Sequence, residues 1–164
     1  MVFCYSSLNI ASRPSVNLLI GENQLTGEVP NIGAPSLEFF DVRFNNLEGP
    51  IPSSLFESPD SLEFVYMQGN QLTGALPANF ADASSLVDLY LSSNALDGEI
   101  PDIPADSLPA LTEFLLDDNE FEGSMPASVC ALREDALLED LWADCAPPAK
   151  LECACCTLCF PVPN

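Results

Sequence analysis

Residues 86–101 read Leu86-Val87-Asp88-Leu89-Tyr90-Leu91-Ser92-Ser93-Asn94-Ala95-Leu96-Asp97-Gly98-Glu99-Ile100-Pro101, and this stretch decides the fold. Three leucines, Leu86, Leu89 and Leu91, lead to Asn94; Leu96, Gly98 and the pair Ile100-Pro101 follow it. The same order recurs on both sides. Leu62, Val65 and Met67 precede Asn70, Leu37, Phe40 and Val42 precede Asn45, and Leu111, Phe114 and Leu116 precede Asn119. A weaker copy holds Leu18, Ile20 and Asn23, with Ser15 where an apolar residue is expected. The asparagines Asn23, Asn45, Asn70, Asn94 and Asn119 are spaced by 22, 25, 24 and 25 residues. Each is followed at a fixed distance by a glycine (Gly27, Gly49, Gly74, Gly98, Gly123) and then by a proline (Pro30, Pro52, Pro77, Pro101, Pro126). A unit of this length kept in phase marks a stacked repeat.

Each part of the unit has a physical reason. The alternating apolar residues form the inward face of one short strand per coil. A buried asparagine satisfies backbone groups at the bend after the strand, and repetition turns it into a ladder between coils. The glycine permits a turn that a side chain would block, and the proline ends the strand and sets the chain's direction. The pattern Leu-x-x-Leu-x-Leu-x-x-Asn-x-Leu-x-Gly-x-Ile-Pro resembles the plant-type leucine-rich repeat, in five copies over residues 15–130. That resemblance implies an α/β solenoid: a right-handed coil with a parallel concave β-sheet, a second smaller sheet, and short 3₁₀ or irregular segments on the convex side. The asparagines, glycines and prolines are then structural and form no site.

Composition narrows the function. The chain of 164 residues is 48% hydrophobic and only 18% charged, which suits an ordered domain. Four Lys and Arg face 25 Asp and Glu, a net charge of −21. Such a surface repels phosphate backbones and anionic lipid heads, which argues against nucleic-acid and membrane-surface roles. It favours cationic partners or loosely held Ca²⁺, with steering that weakens in salt; it also serves plain solubility. The absence of histidine removes the usual general base and the commonest metal ligand. No apolar run approaches the length of a membrane span, and the first residues make a poor signal peptide because no basic residue precedes their apolar patch.

The two ends differ. After Val129 and Cys130 the repeat breaks, and residues 131–164 are expected to form a cap, with Leu137, Leu138, Leu141 and Trp142 as a last apolar layer. Cys130, Cys145, Cys153, Cys155, Cys156 and Cys159 form an even set consistent with three disulfides of open connectivity. The Asp144-Cys145 step and the Cys-x-Cys-Cys-x-x-Cys run resemble caps of extracellular leucine-rich-repeat proteins of microalgae. Cys156-x-x-Cys159 also has a zinc-like spacing, but adjacent cysteines in a His-free chain fit a metal poorly, and no metal or cofactor is expected. Cys4 is the odd seventh. No cap is recognisable in residues 1–14, so the expectation there is an incomplete or missing N-terminal cap and a fragment of a longer protein.

Function in such a fold is expected on the concave strand face, whose outward side chains belong to no core. Three outward columns are read from the repeat: Asn17, Phe39, Phe64, Asp88, Glu113; Leu19, Asp41, Tyr66, Tyr90, Leu115; and Gly21, Arg43, Gln68, Ser92, Asp117. Phe39, Phe64, Tyr66 and Tyr90 come together, edged by Asp41, Asp88, Glu113, Asp117 and Asp118. Aromatics on a polar surface anchor interfaces, although β-propensity alone also puts aromatics on strands. The expectation is a non-catalytic module recognising a protein or a basic or amphipathic peptide, with a carbohydrate second, as part of a secreted or cell-surface protein. The resemblance adds receptor-kinase ectodomains and inhibitors of wall-degrading enzymes as relatives. No Asn-x-Ser/Thr glycosylation acceptor occurs, which departs from many of those relatives. A structural wall or matrix role, or a surface-adsorbing one, is the alternative; it calls for identical residues in register, and the columns are irregular. Catalysis has little support, because the paired Asp117 and Asp118 have no pocket marked around them.

Overall fold

The computed structural model describes residues 16–161 apart from 33–34, 58–59, 105 and 135–136, with every side chain except that of residue 134. The expected incomplete cap at 1–14, with Cys4, lies outside the described residues, as does Ser15. Each coil contributes one strand to each of two parallel sheets. The larger holds β1 (Val16–Leu19), β3 (Leu37–Asp41), β5 (Phe64–Tyr66), β7 (Asp88–Tyr90), β9 (Glu113–Leu115), β11 (Asp140–Ala146) and β13 (Leu158–Pro161), in that spatial order. The smaller runs β2 (Thr26–Glu28), β4 (Asn46–Gly49), β6 (Gln71–Gly74), β8 (Ala95–Glu99), β10 (Glu120–Ser124) and β12 (Leu151–Glu152). Sequence order equals spatial order in both, as a solenoid requires.

Register follows from the apolar period. Leu18, Phe40, Val65, Leu89, Phe114 and Leu141 stand opposite one another across the larger sheet, and all but Leu18 are buried. The second sheet adds Leu47, Leu72, Leu96 and Phe121 to the same core. Between the sheets, Phe56, Phe80 and Phe114 form a contiguous row of rings, 6.5 and 5.7 Å apart. Each coil contacts its neighbours and little else, so stability adds up coil by coil.

The asparagines bind the coils together. Asn94 donates through Nδ2 to the carbonyls of Met67, Leu91 and Ser92, and its Oδ1 accepts from the backbone N–H of Leu72. Asn45, Asn70 and Asn119 repeat this arrangement in their own coils. Among the described residues Asn23 donates only within its own coil, and it is exposed. The glycines Gly27, Gly49, Gly74, Gly98 and Gly123 have φ between 76° and 90°, the left-handed region that favours glycine. A second left-handed position was not read from the sequence. The residue before each ladder asparagine also has positive φ, and only Gly69 is a glycine; Glu22, Phe44, Ser93 and Asp118 pay for that bend in strain.

The convex side carries 3₁₀ turns at Ser53–Phe56 and Ala78–Asp82, and the last coil replaces them with an α-helix, α1 (Ala127–Glu134). The C-terminal segment adds β11, β12 and β13, so both sheets run on past the repeats. Leu138 and Leu141 close the core, whereas Leu137 is exposed and Trp142 lies on the outer face of the larger sheet; the expected last layer is therefore thinner than read. Asp144 takes over the end of the bend. Its Oδ2 accepts the N–H of Asn119 at 2.9 Å, in the place of a carbonyl from a further coil. Three disulfides join Cys130 to Cys155, Cys145 to Cys159 and Cys153 to Cys156. Cys156 and Cys159 therefore have different partners and form no Cys-x-x-Cys thiolate pair.

Candidate functional site

The strand register carries the outward side chains into columns. Asn17, Phe39, Phe64, Asp88, Glu113 and Asp140 stand side by side across β1 to β11. Beside them run Leu19, Asp41, Tyr66, Tyr90, Leu115, Trp142 and Leu158. Gly21, Arg43, Gln68, Ser92 and Asp117 follow at the rim, where successive backbones are hydrogen-bonded from coil to coil. Asp140, Trp142 and Leu158 extend the face into the cap. The sequence reading missed them because the cysteine-rich segment breaks the repeat period; the alternation Asp140-Leu141-Trp142-Ala143 was the available signal.

The aromatic side chains form one continuous cluster. Phe39 stacks on Phe64 at 5.0 Å, meets Tyr66 edge-on at 5.0 Å, and Tyr66 stacks on Tyr90 at 4.5 Å. Such contacts are worth about 0.5–1.5 kcal/mol each beyond burial. Neutral donors hold the carboxylates around this cluster. The Tyr66 hydroxyl donates to Asp88 at 2.9 Å, the Tyr90 hydroxyl to Glu113, the Ser92 hydroxyl to Asp117 at 2.6 Å and the Trp142 indole N–H to Asp140 at 3.2 Å. Thr112 donates to the other oxygen of Asp88. Burial, the hydrogen bond to Asp88 and the nearby negative charges push the Tyr66 phenol up to about 12. Burial and Glu113 push the Tyr90 phenol further in the same direction.

Arg43 is the single cation of the three columns. Its guanidinium lies 5.8 Å from the Tyr66 ring centre, 3.5 Å from Asp41 and 3.7 Å from Glu22. Together with Leu19, Gly21 and Phe39 these groups border an open depression of about 410 Å³. Asp41 and Asp88, expected at an exposed edge, are only 7% and 9% exposed, because Arg43 covers the first and Tyr66 with Thr112 the second. Asp118 lies in the bend and not on this face. A second depression, of about 290 Å³, lies at that bend beside Asp144 and Lys150. Burial raises the Asp144 pKa against the two backbone N–H groups of Asn119 and Asp118 that lower it. Among the described residues the cysteines Cys145, Cys153 and Cys156 are the one group close enough to share a metal ion, and as disulfides they present no thiolate.

The architecture is that of a plant-type leucine-rich-repeat protein. The Leucine Rich Repeat family profile matches residues 36–57, 61–83 and 85–106. Cuscuta receptor 1 of Solanum lycopersicum is 39% identical over 93 residues, 57% of this chain and 8% of its own length. Receptor-like protein 39 of Arabidopsis thaliana is 33% identical over 126 residues, 74% of this chain and 14% of its own. The chain thus spans a small part of the curated relatives that it matches. Among solved structures, the Arabidopsis receptor kinase HAESA, in complex with the peptide hormone IDA and the co-receptor SERK1, superposes with a TM-score of 0.71 at 28% identity, over 76% of this chain and 20% of that one. PEPR1 with AtPEP1 gives 0.66 at 31% identity, over 70% and 16%. The BIR3–SERK2 complex of Arabidopsis thaliana gives 0.67 at 28% identity, over 91% and 79%. Among the described residues no helix is long and apolar enough to cross a membrane.

Proposed function

We propose that this chain is a non-catalytic recognition module of a secreted or cell-surface protein, and that it binds a peptide or protein segment on the outer, concave face of the larger sheet. The single observation that carries the reading is the unbroken aromatic cluster Phe39–Phe64–Tyr66–Tyr90, lying outside the core on strands whose inward residues already fill it. Rings of this kind supply large contact area at low entropic cost. The similar HAESA structure is a complex with a peptide hormone, which supports a peptide as the ligand class. The three disulfides support a compartment outside the cytoplasm. The carboxylates around the rings favour a basic or amphipathic ligand. A carbohydrate is the second reading, favoured by the open stacked rings; its binding would be insensitive to salt.

The test is a selection from a randomised peptide library on the wild-type chain, with the F64A/Y66A variant as comparison. Peptides that bind the wild type and lose the variant, with its melting temperature retained, support the concave face as the site. Peptides that bind both equally place recognition elsewhere.

A further inference from the structure

We infer that the face is bipartite and takes a cationic, amphipathic peptide in one orientation, with apolar residues on β3 and β5 and lysines or arginines on β9 and β11. The inference rests on the reading of this face as a peptide surface and adds which half receives which part of the ligand. The two halves differ in how their charges are met. On β3 and β5 the rings of Phe39 and Phe64 stack on one another, the neighbouring Asp88 is buried beneath Tyr66 and Thr112, and Asp41 is already met by Arg43, whose own charge would repel a ligand cation. Glu113 on β9, Asp117 just past its end and Asp140 on β11 are each held by a neutral hydroxyl or indole N–H, and no Lys or Arg pairs with them among the described residues.

A neutral donor fixes a carboxylate without cancelling its charge, so the array is pre-organised and still anionic. Asp88, Glu113 and Asp140 also stand directly opposite one another in register. Like charges so placed destabilise a sheet, and a bound cation relieves that repulsion. The spine between the column Asp88, Glu113 and Asp140 and the rim carboxylate Asp117 is Tyr90, Leu115 and Trp142, apolar surface that suits the methylene stem of Lys or the plane of Arg. Reversing the ligand would set its cations against Arg43 and leave the carboxylate array unmet, which gives the orientation.

The probe is a synthetic amidated peptide with an aromatic cluster at one end, a lysine cluster at the other and a flexible glycine–serine spacer, carrying a photo-crosslinker beside the lysines. Affinity is measured against salt for the wild type, E113Q/D117N/D140N, F39A/F64A, and E48Q/E99Q/E122Q, which removes equal charge from the smaller sheet. The first triple variant should weaken binding about tenfold or more and flatten the salt dependence. F39A/F64A should weaken binding with the salt slope kept, E48Q/E99Q/E122Q should leave both unchanged, and crosslinks should fall on β9 and β11. Equal effects of the two triple variants, crosslinks on β3 or β5, or no binding to the wild type would overturn the bipartite face. Binding that ignores both E113Q/D117N/D140N and F39A/F64A would overturn the parent reading as well.

Discussion

Asn94 shows what a single residue does in this fold. Its half-buried amide meets three carbonyls and one N–H from two coils. Asn94→Ala leaves those groups unpaired and is expected to cost about 3 kcal/mol, read by urea denaturation, while Asn23→Ala at the exposed first rung should cost under about 1 kcal/mol. The bend residue just before each rung gives the opposite sign. Ser93 has φ 56°, and Ser93→Gly should stabilise by about 0.5–1 kcal/mol in the same measurement. Gly69→Ala should destabilise twice over, since φ there is 70° and a Cβ would stand 2.5 Å from the Phe44 ring; pairing it with Phe44→Ala should recover only the contact part. The rungs were legible because an asparagine recurs in phase. The left-handed bend was not, because Glu22, Phe44, Ser93 and Asp118 share a backbone conformation and no side-chain chemistry.

Among the elements, the strands of the repeats could be read residue by residue, whereas those of the cap could not. A strict period sets which side chain faces inward, so the outward columns from Phe39 to Asp117 follow from Leu89 and its equivalents alone. Beyond Cys130 that period is lost, and β11, β12 and β13 take their places by pairing with β9, β10 and β11 in turn, with the disulfides holding the segment together. The Cys130–Cys155 bond closes the cap to α1 with a sequence separation of 25. The Cys130→Ser/Cys155→Ser variant should lose about 3 kcal/mol, and hydrogen exchange should show the cap opening before β5 and β7. The tyrosines of β5 and β7 set an alkaline limit. The folded state holds the Tyr66 proton to about 12 against 10.0 unfolded, so the associated stability is complete below pH 10 and lost as pH rises through 12. Tyr66→Phe should shrink that alkaline loss in thermal melts; an unchanged pH profile would count against the Tyr66–Asp88 hydrogen bond.

For the whole molecule, the net charge of −21 sets a repulsion that salt screens, so the melting temperature should rise between low and moderate ionic strength. The same charge draws cationic segments from a distance, and the pinned carboxylates of β9 and β11 give that attraction a place to end. Fold class was legible in the period; the bipartite division of the face was not, because it depends on which donor reaches which carboxylate. Trp142, the single tryptophan, lies on that face with its N–H on Asp140, and it reports on ligand without a label. The most direct measurement is therefore a fluorescence titration of the wild type and of F64A/Y66A with a library-selected peptide. A saturable change in Trp142 emission for the wild type, absent in the folded variant, is the expected result; tight binding by calorimetry with silent Trp142 and no loss in the variant would contradict recognition on this face.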